Sequence, residues 1–211
     1  MLLFPSLKNY LLESNIYFDH IIHHTNNIKI NSFLNLPNYV LDLPSLIGYY
    51  KNGQLKIQSW YKNSECHRER DLPAQIEHYL NGQLFTQIWY RYGILHREDL
   101  PAEIQYYENG QPKLKFWYQN GEFYIDGDLP AEIYYYENGQ PKRQIWYEGG
   151  KLNRKNDLPA YIEYYESGQS KVQRWYKNGK LHREDGPAEI QYSKNGQLYK
   201  RSWYKNDIKL Q

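Results

Sequence analysis

A His-Arg-Glu-Asp stretch, intact twice and altered three times, recurs in this 211-residue chain. The fullest versions are Leu95-His96-Arg97-Glu98-Asp99 and Leu181-His182-Arg183-Glu184-Asp185. Cys66-His67-Arg68-Glu69 is close to them, and Phe123-Tyr124-Ile125-Asp126 and Leu152-Asn153-Arg154-Lys155 are diverged. An imidazole beside a carboxylate is the material of general acid–base chemistry. The exchanges inside the chain argue against that use. The His position becomes Tyr124 and Asn153, and the Glu position becomes Asp126 and Lys155. Near-copies that tolerate such exchanges describe a constraint of the fold, and a catalytic group also needs a cleft that this pattern does not supply. A second cluster is His20, His23 and His24. His20 and His24, four residues apart, suit two metal ligands on one helix face, but no Cys or third ligand with fitting spacing accompanies them, and a polar cap is the better reading. No catalytic, cofactor-binding or metal-binding set is therefore expected, and the chain reads as non-enzymatic.

The elements that carry these residues are copies of one unit, typified by residues 158–186. All six Trp belong to it: Trp60, Trp89, Trp117, Trp146, Trp175 and Trp203, separated by 28 or 29 residues. Each is followed by Tyr, preceded at seven residues by Gly-Gln and at sixteen by Pro. Two residues before each Pro is an Asp: Asp42, Asp71, Asp99, Asp128, Asp157 and Asp185. An Asp here is expected to bond backbone amides two residues on and brace the turn into the next strand. The one-residue length variation falls after Trp-Tyr, so that segment is read as the loop.

Each unit reads as a β-hairpin. After Pro, the residues Ala102, Ile104 and Tyr106 alternate with Glu103, Gln105 and Tyr107, the pattern of a half-buried strand. Asn109-Gly110 is a strong hairpin signal, with a type I′ turn needing positive φ at both positions. A two-residue turn there sets Ala102 opposite Trp117, and the same arithmetic sets a small residue opposite every Trp. An indole would fill the volume an Ala or Ser leaves. The apolar position Cys66, Leu95, Phe123, Leu152 and Leu181 is expected to plug the core between units.

Residues 1–41 lack the Trp and the Gly-Gln turn and are read as a cap, partly helical over residues 7–22, that covers the edge of the first repeat strand. Composition bounds the rest. Aromatics make up 17% of the chain, with 24 Tyr, which argues against disorder despite a mean hydropathy of −0.92. No apolar run approaches the length of a membrane-spanning helix. A net charge of +2 with interspersed signs favours no polyanion. One Cys, no Asn-x-Ser/Thr sequon and no signal-peptide pattern point to an intracellular protein.

Stacked over six units, the Trp and Tyr columns make aromatic ladders. The six Trp are expected in the core. The column expected to face outward is Tyr79, Tyr107, Tyr136 and Tyr165, which is the candidate binding surface, with Glu and Gln beside it.

Tyr-Tyr-x-Asn-Gly-Gln followed by Trp-Tyr-x-Asn-Gly-x-Leu resembles MORN-type repeats. It is most similar to the divergent variant of bacterial antitoxin-like proteins, which is abundant in large DNA viruses of protists. The stretch from His182 to Ala188 keeps the extended form His-Arg-Glu-Asp-Gly-Pro-Ala. The resemblance spans about 170 residues and implies one hairpin per repeat, stacked into an elongated curved sheet. Its implied roles are scaffolding, protein–protein contact and, in some members, contact with membrane lipid. Units of 28 or 29 residues are longer than the usual repeat, and the dense glycines of the lipid-associated kind are missing.

The expectation is an all-β, elongated, single-layer antiparallel meander of about twelve strands over residues 42–211, capped by residues 1–41. Its expected function is a non-enzymatic scaffold for protein–protein interaction, without cofactor, in the cytoplasm (of a host, or in a virion, if viral). A half-exposed sheet with free ends also favours a homodimer through an end or a face. An antitoxin-like binder would be a special case. Single-stranded nucleic-acid binding would need a contiguous basic stripe. Peripheral membrane contact would need basic residues clustered on one edge. An enzyme would need a pocket where diverged loops converge, such as residues 124–128 and 153–157.

Overall fold

The structure is a computed structural model and describes residues 21–23, 42–124 and 127–210. All regular structure among these residues is β. One 13-stranded antiparallel sheet follows the chain order from end to end, and its first and last strands do not pair with each other. Twelve strands are the hairpin arms of the six units, such as Glu103–Tyr106 with Pro112–Phe116 and Glu132–Tyr135 with Pro141–Ile145. The thirteenth is Ile21–His23, which pairs with Leu46–Tyr49 at the start of the array. Ile21 and Ile22, the end of the expected helix, are thus strand. The rest of that segment, with His20 and His24, lies outside the described residues.

The expected turn is corrected. Tyr107 N–H donates to the Gln111 carbonyl at 2.9 Å, and Gly110 N–H donates to the Tyr107 carbonyl at 2.9 Å. The loop is therefore three residues, Glu108 to Gly110. Gly110 alone takes positive φ, at +82°, while Asn109 uses its side-chain oxygen to accept from Gln111 N–H at 2.9 Å. This is a turn closed by a left-handed glycine. The added residue should slip the register, yet Glu103 faces Phe116 and Gln105 faces Leu114, the pairing a two-residue turn implies. A bulge at Lys113, between the Tyr106↔Pro112 and Gln105↔Leu114 pairs, absorbs the slip. All six hairpins carry a bulge at this position. The ladder stops one pair short of Ala102 and Trp117. Trp117 instead donates its N–H to the Ala131 carbonyl of the next unit at 2.9 Å.

The segment after Trp-Tyr is also more than a loop. It forms a second, two-residue-armed hairpin in every unit, such as Tyr118–Gln119 with Glu122–Phe123. These short hairpins touch along the array: Gly121 N–H donates to the Leu95 carbonyl and Gly179 N–H to the Leu152 carbonyl, both at 2.9 Å. Phe123 stacks on Tyr118 of its own unit at 4.3 Å and on Tyr147 of the next at 4.8 Å. The length variation sits beyond this hairpin. Units with the longer spacing hold Arg70, Gly127 or Asn156 at positive φ just before the Asp.

Trp60, Trp89, Trp146 and Trp175 are buried, as are Ala74, Ala102, Ala131, Ala160 and Ala188. Trp146 packs on Ala160 and Ile162 of the following unit, so each indole closes the joint between two units. Trp203 departs from the expected core and is 43% exposed, because no following unit within the described residues covers it. Trp117 is half-buried.

Candidate binding surfaces

The His-Arg-Glu residues are organised by Trp. In four units an Arg lies over the indole: Arg68 on Trp60, Arg97 on Trp89, Arg154 on Trp146 and Arg183 on Trp175, with 3.6 to 4.0 Å from guanidinium carbon to ring centroid. The same Arg grips the Asp that begins its unit. Arg154 holds Asp128 with two bonds of 2.7 and 2.8 Å, and Arg97 holds Asp71 with two of 2.8 Å. The indole N–H donates to that Asp's backbone carbonyl, as from Trp89 to Asp71 at 3.1 Å and from Trp175 to Asp157 at 2.9 Å. The guanidinium then reaches the Pro carbonyl of the next unit, as in Arg68 to Pro73 at 3.0 Å. The Asp therefore braces its turn through Arg, not through nearby amides as expected. The Arg154 guanidinium holds the Asp128 carboxyl below the usual carboxylate range. The sequence places Ile125 where these units have Arg, and Trp117 in that unit is correspondingly less buried.

The histidines also join units. His96 Nδ1 accepts from Asn120 N–H at 3.2 Å, and His182 Nδ1 accepts from Asn206 N–H at 3.3 Å. His182 Nε2 faces Glu184 at 2.9 Å. Lys205, His182 and Lys177 hold the Glu184 carboxyl at about 2. His and Arg are thus engaged in holding one unit to the next, and Asp in closing its own unit. Among the described residues no group of three His, Cys, Asp or Glu could hold a metal ion.

The Tyr column is half-buried, not exposed. The hydroxyls of Tyr79, Tyr107, Tyr136 and Tyr165 each donate to a first-arm carbonyl of the next unit: Tyr106, Tyr135, Tyr164 and Tyr192, at 2.7 to 2.9 Å. The bulge residue lies over or against each ring: Lys113 on Tyr107, Lys142 on Tyr136, Lys171 on Tyr165, and Phe85 edge-on to Tyr79. Alternation along a strand reveals which face a Tyr takes, but not that its hydroxyl spans to the neighbouring unit.

A different column is open. Leu72, Leu100, Leu129 and Leu158 each precede the unit's Pro and are 38%, 48%, 59% and 38% exposed. Two strands per unit space them about 10 Å apart. Leu72 edges a groove of about 290 Å³ that also contains Trp89, Arg97 and His67, and Leu158 edges one of about 400 Å³ with Trp175, Arg183 and His182. The signal was present in the sequence. Leu recurs before Pro in five units although it lies outside the alternating strand, so neither hairpin face requires it.

No helix among the described residues is long and apolar enough to cross a membrane. Comparison with protein-family models finds no match, and comparison with the curated proteins finds none either.

Proposed function

We propose that this chain is a MORN-like, non-enzymatic scaffold that binds a protein partner along the ridge of its inter-unit connections. The observation that carries the reading is the row Leu72, Leu100, Leu129 and Leu158, exposed at the same position of four consecutive units. Large apolar side chains regularly spaced on a surface, three of them (Leu72, Leu129 and Leu158) following an Asp paired with Arg, suit an extended partner that repeats its own apolar contacts. An intracellular setting and an antitoxin-like role, in which the partner is neutralised by being held, belong to the same reading. Its test is affinity capture from the native source with the full-length chain, beside a variant carrying Leu72→Ser, Leu100→Ser, Leu129→Ser and Leu158→Ser. A stoichiometric protein partner whose recovery falls at least tenfold with the variant is the expected result. Equal recovery, or nucleic acid or lipid in place of protein, refutes the reading.

A further inference from the structure

Arg143 breaks a rule that four of the other five units keep, the sixth carrying Lys200 at this position. At its position the first, second, third and fifth units carry Ile57, Thr86, Leu114 and Val172, and of these Thr86, Leu114 and Val172 are buried. The hairpin geometry is the same in all, so the fold does not ask for a guanidinium there. Its cross-strand neighbours are Tyr134 on one side and Glu163 on the other. It lies over the Tyr134 ring, with 3.9 Å from its guanidinium carbon to the centroid. Glu163 does not neutralise it, because that carboxylate takes Lys171 at 2.6 Å and the Tyr161 hydroxyl at 3.3 Å. Glu132, two residues from Tyr134 on the same strand, is satisfied by the Tyr134 hydroxyl at 2.9 Å and the Tyr147 hydroxyl at 2.5 Å. Arg143 Nε is buried and has no hydrogen-bond partner. Leaving such a donor unmade is costly.

Arg143 lines a cavity of about 210 Å³ together with Lys113, Lys142, Tyr161 and Glu163, whose carboxylate is already paired with Lys171. Among the described residues, none of these three cations has an acid within 4.0 Å, whereas most other Arg in the array are paired. Unpaired cations converging on one concavity with aromatic walls focus positive potential on it. We propose that this cavity is a binding site for a small oxyanion, a free carboxylate or phosphate, with Arg143 as its central contact and Lys113 and Lys142 at its rim. A guanidinium suits either group, since its fork matches two oxygens at once.

The test uses the full-length chain labelled with ¹⁵N, titrated with sodium phosphate and, separately, with sodium benzoate at constant ionic strength. The Arg Nε–H resonances are followed and the affinity is measured by calorimetry. Saturable binding of either anion, with the Arg143 signal shifting, is expected, and the anion that binds tells phosphate from carboxylate. Arg143→Val restores the residue type that Val172 supplies in the next unit, so it keeps the hairpin, and it should weaken binding at least tenfold. Arg143→Lys should weaken it less. Lys113→Ala with Lys142→Ala should weaken it severalfold and leaves the Arg143–Tyr134 contact in place. No saturable binding of either anion, or undiminished binding in both Arg143→Val and the double Lys variant, overturns the proposal.

Discussion

Arg154 makes three kinds of contact at once, and its removal measures what one clamp contributes. It covers Trp146, pairs with Asp128 and donates to the Pro159 carbonyl at 3.4 Å. The pair itself is half open to water, with Asp128 50% exposed, so its Coulomb attraction is heavily screened. Most of the loss in Arg154→Ala should come from the uncovered indole, for a total of about 1–2 kcal/mol in thermal or denaturant unfolding. Arg154→Lys should recover only part of it, since an ammonium neither stacks nor forks. The Asp128 carboxyl is held below its ordinary value chiefly by the Arg154 hydrogen bond. Its contribution is therefore present above the ordinary Asp range and is lost as pH falls through the lowered folded-state value. Acid titration of stability should show a shallower loss below about pH 4 in Asp128→Asn than in the unaltered chain. An identical acid limb in both would remove Asp128 from the account. The sequence marked His, Arg, Glu and Asp as a constraint of the fold, but not which groups they hold. What distinguishes a clamp is the 26-residue separation of Arg154 from Asp128, a contact that exists only once two ends of a unit are folded together.

At the scale of the hairpin, the bulge corrects the register that the turn would otherwise set. Lys113 is the extra residue, and deleting it should turn Leu114 from the buried face toward the opposite one, because one step of register inverts every side chain. The deletion should abolish cooperative unfolding of that unit. Lys113→Ala, which keeps the residue count, should change stability by no more than about 0.5 kcal/mol. Circular dichroism melts of the two variants compare these directly, and a deletion as stable as the substitution would contradict the role given to the bulge. The six-fold period, the hairpin per unit and the second-arm pairing were all legible, because Gly-Gln, Trp and the alternating Ala-Ile-Tyr mark them locally. The turn was misread because Asn-Gly is compatible with two loops. Its side chain chose the longer one by accepting the Gln111 N–H. The short hairpin was missed because two-residue arms leave no alternation to read.

At the scale of the whole molecule, the array consists of joints repeated along one sheet. Trp, Arg, His and the half-buried Tyr each connect one unit to the next while Asp anchors the Arg within its unit, and this is why their columns recur. A repeated residue left open at the surface is then the informative one, and Leu72, Leu100, Leu129 and Leu158 are of that kind. The account's central claim is that the joints hold the array while the leucine row meets the partner. Hydrogen–deuterium exchange of the full-length chain with and without its captured partner tests this most directly. The connection amides are held by short local bonds, such as Leu100 N–H to the Glu98 carbonyl at 2.7 Å and Leu158 N–H to the Lys155 carbonyl at 3.3 Å. The predicted result is new protection in peptides spanning residues 69–72, 98–100 and 155–158, with the hairpin turns at 108–110, 137–139 and 166–168 unchanged. Protection confined to those turns, with the leucine connections exchanging as in the free chain, would contradict it.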